Sequence, residues 1–582
     1  MKRINLIYFA LVALIIQGCK KEFLDRQPLS NLAPGNYFTN GNELMLYTNS
    51  FYEAMIPSAQ SLAYGEFDDN VASTTTSAEV QGNRTVPTTG GGWDWGTLRT
   101  INFYLDNSYK CEDVASRKKY DGVAKFFRAW FYFSKVQRFG DVPWYSHVIE
   151  ADDQGNLTKA RDPRVLVMDS VLADIDYAVA NLDTKASIDK VTKWTALALK
   201  SRICLFEGTW RKYHTEFNLP NADKFLTEAA SASQTLIDQG PYKLYTSTPS
   251  KAYLELFASH NAIPSEIILA RTFSTSLNIT HDLNRYTNSA SFGQPGVLKT
   301  VVNSYLMKDG TRFTDIPGYD TMQFYQETQN RDPRLSQTIR TPGYTRIGET
   351  KKLVPDFAAT LTGYQYIKSV SESAYDGISL SNSDLPVFRY AEVLLNFAEA
   401  KAELGTLTQA DLDKSIKPIR DRVGMPNINL ATANANPDPY LAGQYTHVTA
   451  TANKGAILEI RRERRIELIR ENFRYNDIMR WKEGHLFTIP FLGMYFPALG
   501  GYDLDKDGVI DVVIYEGTKP SAVGPQYLKL GTNIFLSNGK SGYVITNPTL
   551  TKKFDENKDY LYPIPVQQLL LNTNLKQNPG WQ

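Results

Sequence analysis

Six of the eight residues from Phe126 to Phe133 are aromatic, and the stretch holds neither Gly nor Pro. At that density rings surround most of a helix, so the sequence predicts a helix from about residue 116 that is buried on several sides. Gly140, with Pro143 just beyond, predicts where it stops. A partner helix is predicted over 164–182, where Val165, Met168, Val171, Leu172, Ile175, Ala178 and Leu182 recur at three- and four-residue steps. Over 190–213, Ala198, Ser201, Cys204 and Gly208 place small side chains along one side, which lets a neighbouring helix approach closely. Further helical patterns cover 222–238, 384–404 and 454–482. Together these predict a mostly α fold, a tetratricopeptide-like helical-pair scaffold decorated with long loops, short helices and a few small β-hairpins. An irregular helical domain fits the same periodicities, because no repeat of fixed length recurs.

The organisation follows from where these patterns begin and end. The helical scaffold is expected over 95–240 and 384–482, and loop-rich parts over 46–94, 241–383 and 483–582, all within a single domain 46–582. The stretch 71–92 is polar, twelve of its 22 residues being Ser, Thr or Gly, and reads as a long surface loop. Ahead of the domain, Lys2 and Arg3 precede thirteen mostly apolar residues, Ile4 to Ile16, and Gln17-Gly18-Cys19 follows at once. That is an export signal, residues 1–18. Thirteen residues make about 20 Å of helix, short of the roughly 30 Å hydrocarbon core of a bilayer. Small Gly18 directly before Cys19 is similar to the bacterial lipobox, so Cys19 is expected to carry a diacylglycerol anchor to the membrane, and 19–45 to form the tether.

Composition removes several function classes. Lysine plus arginine, 63, nearly equals aspartate plus glutamate, 62, with no long run of one sign, so the footprint of a nucleic-acid partner is missing. Three cysteines and six scattered histidines supply neither a disulfide scaffold nor a zinc site. There is no GxSxG elbow, P-loop or HExxH, and Gly90-Gly91-Gly92 lacks the strand-to-helix setting of a phosphate cradle. A non-enzyme with no required cofactor is therefore expected. One motif has its own chemistry. Asp503, Asp505, Asp507 and Asp511 put oxygen ligands at positions 1, 3, 5 and 9 of a calcium loop, with Gly508 at the turn and the Val509 carbonyl at position 7. Position 12 is Ile514 rather than a bidentate Glu, so this is no EF-hand; a nonhelical loop holding structural calcium and a solvated acidic hairpin both fit.

Several segments resemble, in order, the SusD/RagB-like surface lipoproteins of the Bacteroidota. Cys19 followed by Phe23-Leu24-Asp25 and Pro28, and then Trp95, Leu98, Ile101, Asn102 and Leu105, are similar to the start of that family. Phe127 to Phe133 with Arg138-Phe139-Gly140-Asp141-Val142-Pro143 resembles its most recognisable motif. Arg331 to Leu335, Arg389 to Leu395, Glu463 to Leu468 with Arg480-Trp481, Leu561 to Pro565, and Asn572 with Gln577 to Trp581 follow. Arg464 and Glu467, and Glu467 and Arg470, lie three apart, so ion pairs along one helix are expected there, and the Pro-rich C-terminus is expected to be clamped to the body.

The resemblance implies a lipid-anchored protein of the outer membrane facing the cell exterior, which captures glycans and delivers them to a SusC-like TonB-dependent transporter. A receptor for peptides or other nonsugar nutrients, or a periplasm-facing helical scaffold, are the alternatives on the same fold. Sugars present apolar CH faces and many hydroxyls, so aromatic platforms rimmed by Asp, Asn and Arg suit them. The candidates are Trp93, Asp68, Asp69, Asn70, Trp95 and Tyr286. Core packing competes for Trp93, and more strongly for Trp95, which shares a helical pattern with Leu98 and Ile101.

Overall fold

The computed structural model of the protein describes residues 37–65, 68–449, 451–521 and 523–582. The leader 1–18, Cys19 and most of the tether lie outside these residues. Helix α1, Gly41–Met55, starts where the Asn40 side chain accepts hydrogen bonds from the Asn42 and Glu43 amides. Phe38 and Leu44 are fully buried, so the packed body begins ahead of the expected boundary at 46.

Helix α2, Gly96–Asn107, leads to α3, Val114–Phe139, which is capped by Asp113. Around α3, Phe126, Phe127, Phe131, Tyr132 and Phe133 are all buried, as their density predicted. The helix stops at Gly140, whose φ of +74° only glycine adopts readily. There follow α4, Arg164–Asn181; α5, Lys193–Tyr213; α6, Ala222–Gln239; α7, Tyr390–Glu403; α8, Gln409–Asp421; α9, Lys454–Glu467; and α10, Arg474–Arg480. Helix α3 packs on α4, α5 on α6 and α7 on α8, while α4 on α5 and α6 on α7 join the pairs. This is the expected scaffold of stacked helical pairs. The small side chains of α5 serve the approach they predicted: a Cβ on Gly208 would come within 2.9 Å of the Leu226 backbone nitrogen on α6.

Two predicted helices are shorter than expected. Within 384–404, Leu385–Arg389 is a strand, β4, antiparallel to β2, Ile267–Arg271, because Pro386 offers no amide to a helix and the segment buries Leu385, Val387 and Phe388. Within 454–482, the chain breaks between α9 and α10, where Arg470 and Asn472 take positive φ values of 62° and 64°. The loop-rich parts carry short elements. Strands β1, Val71–Ala72, and β3, Gly296–Val297, pair antiparallel, so the start of the expected 71–92 loop is ordered. Strand β5, Leu492–Phe496, pairs with β9, Gly542–Ile545, and β6, Gly500–Tyr502, β7, Val512–Tyr515, and β8, Gln526–Lys529, form a small sheet. Helix α11, Val566–Leu571, lies near the C-terminus.

Glu463 and Glu467 of α9 are fully buried, and their partners lie across the fold rather than along the helix as expected. Arg334 Nη1 donates to Glu463 Oε1 at 2.5 Å and to Glu467 Oε2 at 3.2 Å. Arg420 reaches Glu463 at 2.8 Å, and Arg389 and Arg422 reach Glu467 at 2.8 and 2.5 Å. Arg464 instead pairs with Asp477, and Arg470 donates to the Ala63 carbonyl. Burial pushes the Glu467 carboxyl up, but Arg422, Arg389 and Arg334 outweigh it and hold it far below the carboxylate range. Sequence motifs far apart in the chain thus meet in one ion-pair network at the centre of the molecule.

The C-terminus is clamped, as its prolines predicted. Tyr562 N donates to the Arg138 carbonyl at 2.7 Å, Asn578 Nδ2 to the Phe139 carbonyl at 3.0 Å, and Trp581 Nε1 to the Leu561 carbonyl at 3.1 Å. The same segment holds the Gly-rich loop, since Val566 N and Gln567 N donate to the Pro87 and Thr88 carbonyls. Cys111 and Cys204 are buried free thiols. Among the described residues no helix is long and apolar enough to cross a membrane.

Candidate functional site

The start of α2 and the loop before it form one wall of a cleft. Gly90, Gly91 and Gly92 all have positive φ, and Gly92 leaves no room for a side chain, because a Cβ there would lie 2.7 Å from Arg138 Nε. Arg138 donates to the Gly91 carbonyl at 2.8 Å and Lys135 to the Gly92 carbonyl at 2.6 Å. Burial lowers the Lys135 ammonium to about 8, against the pull of Asp94. This anchorage turns Trp93 inward, where its ring meets Phe139 edge-on at 4.9 Å and Trp95 at 5.4 Å. Trp93 is 7% exposed, so it supports the wall more than it faces out. Trp95 is half-buried and turns an edge to Tyr145 at 5.8 Å.

A second segment, Pro143 to Ile149, is held against α2. Asn102 Nδ2 donates to the Tyr145 and His147 carbonyls at 2.9 and 3.2 Å, and the Tyr132 hydroxyl accepts from Tyr145 N at 2.6 Å. His147 Nδ1 lies 2.6 Å from Asp106 Oδ1, while most of the ring faces solvent. Burial, with Asp162 adding, raises the Tyr145 phenol to about 12. The opposite wall is α11 and the residues after it, with Gln568, Leu571, Asn572 and Leu575, and Asn572 Nδ2 donates to the Lys159 carbonyl at 2.8 Å. Between the walls lies a cleft of about 510 Å³. It offers aromatic faces, amides, the His147 imidazole and two cationic side chains, Arg99 and Lys159, a chemistry for stacking and hydrogen bonding.

Of the residues expected at a ligand surface, Trp93 and Trp95 come together here, and four others do not. Asp69 is buried, with Arg474 donating to both its oxygens at 2.6 and 2.8 Å and Arg465 adding a bond at 3.2 Å. Burial pushes its carboxyl up, but Arg474 and Arg465 overcome this and hold it at about 2. Asp68 is buried and accepts from the Asn70 and Val71 amides, and Asn70 accepts from Arg465 Nε at 2.8 Å. Tyr286 is buried and stacked on Tyr64, with centroids 4.6 Å apart and planes 14° from parallel. These positions are corrected from ligand surface to internal structure. Tyr145, His147, Arg99 and Gln568 were missed, since they sit in segments whose contribution to a cleft depends on long-range packing.

The Asp loop is a turn between β6 and β7. Carboxylate oxygens of Asp503, Asp505 and Asp511 lie within 4.8 Å of one another, so these three could hold a cation. Asp507 is not in that group; it accepts from Val509 N at 2.8 Å. Asp511 is raised from its ordinary value by partial burial and by Asp505, Asp507 and Asp503, against a bond from Leu504 N, a repulsion that a cation would relieve.

Stacked helical pairs carrying long loops are the architecture of SusD-like structures. A SusD-like protein from Bacteroides fragilis superposes with a TM-score of 0.68 at 19% identity, covering 95% of this chain and 100% of its own. A SusD-like carbohydrate binding protein from the same species gives 0.67 at 22% identity, covering 93% and 99%. The sequence matches the SusD family over residues 265–581, and a family described as starch-binding associating with outer membrane over 35–211. The chain belongs to the SusD family. Two SusD-like proteins of Formosa agariphila are each 23% identical, one over 82% of this chain and 91% of its own length, the other over 99% of both.

Proposed function

We propose that this protein is a non-catalytic, lipid-anchored glycan receptor of the outer-membrane surface that delivers oligo- or polysaccharide to a TonB-dependent transporter. The observation that carries the reading is the aromatic cleft of Trp95 and Tyr145, rimmed by His147, Gln568 and the amides of Asn156 and Asn572. Half-buried rings keep their orientation without a ligand, so a sugar face can stack without paying to order them. Membership of the SusD family and the outer-membrane description matched over 35–211 support the location and the transporter. Cys19 is the proposed point of lipid attachment, and Asp503, Asp505 and Asp511, with Asp507 and the Val509 carbonyl nearby, the proposed ligands of a structural calcium ion.

The test is affinity electrophoresis of the protein lacking residues 1–19 through gels containing neutral and charged polysaccharides. Retardation by one polysaccharide, reduced about tenfold in affinity, or about 1.4 kcal/mol, by Trp95→Ala and also weakened by the exposed-rim change His147→Ala, is the expected result. Near-UV circular dichroism verifies that both variants are folded. Unchanged affinity in both would remove the cleft from the binding role, and retention on peptide but on no polysaccharide would favour the peptide receptor.

A further inference from the structure

The charged groups of the cleft point to the class of glycan. Among the described residues, no aspartate or glutamate lines it, whereas Arg99, His147 and Lys159 do. Two of these groups have carboxylate partners outside the lining: the His147 imidazole with Asp106 at 2.6 Å, and Lys159 with Asp162 at 2.6 Å. Asp94, exposed beside the wall, accepts from Gly96 N at 2.8 Å. Arg99 differs. Its Nη1 donates to the Ile149 carbonyl at 2.5 Å, and no carboxylate among the described residues pairs with it.

Arg99 lies in the first turn of α2, its amide donating to the carbonyl of the N-cap residue Trp95 at 3.0 Å, and both side chains line the cleft. One carbonyl bond fixes the guanidinium and leaves other N–H groups of a planar fork that matches the paired oxygens of a carboxylate or sulfate. We infer that the cleft selects an anionic glycan, one whose sugars carry carboxylate or sulfate groups, and that Arg99 is the residue that determines this specificity. The inference rests on the glycan-receptor reading above and adds the charge of the ligand to it. A sugar stacked near Trp95 presents its charged substituent to Arg99, while Leu157 and Leu571, both exposed on the cleft lining, meet its apolar edges.

The experiment compares polygalacturonate and alginate with their carboxyl-reduced forms, and a carrageenan with its desulfated form, by affinity electrophoresis and calorimetry. The protein lacking residues 1–19 and its Arg99→Gln, Arg99→Lys and Trp95→Ala variants are used. The expected result is binding of at least one anionic polymer that weakens about tenfold when the polymer is neutralised, weakens equally in Arg99→Gln, is partly kept in Arg99→Lys, and falls as salt rises. Which arm responds separates carboxylate from sulfate. Neutralising the polymer should weaken binding by Arg99→Gln far less than it weakens binding by the parent, and the melting temperature of the variant should be unchanged. Binding that depends on Trp95 but ignores both neutralisation and Arg99 overturns this inference and leaves the glycan receptor standing. No retardation by any charged or neutral polysaccharide overturns both.

Discussion

Asp69 shows what a single side chain discloses only once its partners are known. Its segment, Asp68-Asp69-Asn70, has the composition of a sugar-binding rim, yet Arg465 and Arg474 draw it inside from 396 and 405 positions further along the chain. Replacing Asp69 with Asn leaves two buried guanidinium groups short of their counterion, at a cost of about 3–5 kcal/mol. We therefore expect Asp69→Asn to unfold at markedly lower urea concentration while the folded protein keeps its parent affinity for glycan. An unchanged urea midpoint with lost binding would return Asp69 to the ligand surface. Trp93 and Trp95 were legible as candidates because aromatic platforms suit sugar faces; the helical pattern placed Trp95 deeper than Trp93, and the structure reverses this, because Arg138 and Lys135 grip the glycine carbonyls and turn Trp93 inward. Tyr286 gave no local sign of Tyr64, the ring it stacks on.

At the level of elements, the helices were legible wherever the three- and four-residue periodicity ran unbroken, as in α3, α4 and α6. The interruption between α9 and α10 was not, since Glu463 to Trp481 carries neither Gly nor Pro and the break is imposed by where Arg470 must reach. The close approach of α5 and α6 was legible in Gly208. Its replacement by Val has no space to enter, because the nearest atoms include the Leu226 backbone, so Gly208→Val should lose about 1–3 kcal/mol, read as a lower melting temperature. A variant as stable as the parent would mean the two helices can slide apart freely. The β6–β7 turn makes a separate prediction. Calcium should raise the melting temperature of the parent and not of Asp505→Asn; a titration without any shift, in protein shown to hold no metal by elemental analysis, would leave the turn a solvated hairpin.

Over the whole molecule, the buried carboxylates set the acid limit. Asp69 and Glu399 are lowered from ordinary values of 3.8 and 4.5 to about 2. For Glu399, as for Asp69, burial opposes the shift and the neighbouring guanidinium groups, Arg480 first, produce it. Since the folded values lie below the unfolded ones, this stabilisation is complete above about pH 4.5 and is lost as pH falls toward about 2. Urea midpoints should be level from neutral pH down to about 4.5 and then fall steeply; a midpoint that is flat through that window would mean the network contributes no net stability. The overall architecture was readable because its motifs recur in a fixed order, while their convergence on Glu463 and Glu467 needed three dimensions.

The docked tail has a consequence in time. Gln568, Leu571, Asn572 and Leu575 supply one wall of the cleft, and they lie within the last fifteen residues of the chain, whereas Trp95 and Tyr145 are made in its first quarter. A chain emerging from the ribosome N-terminus first folds most of its helical pairs before that wall has been synthesised. The cleft therefore forms only once residues 568–575 have been made: a chain cut ahead of them holds the rings of Trp95 and Tyr145 but not the wall that faces them.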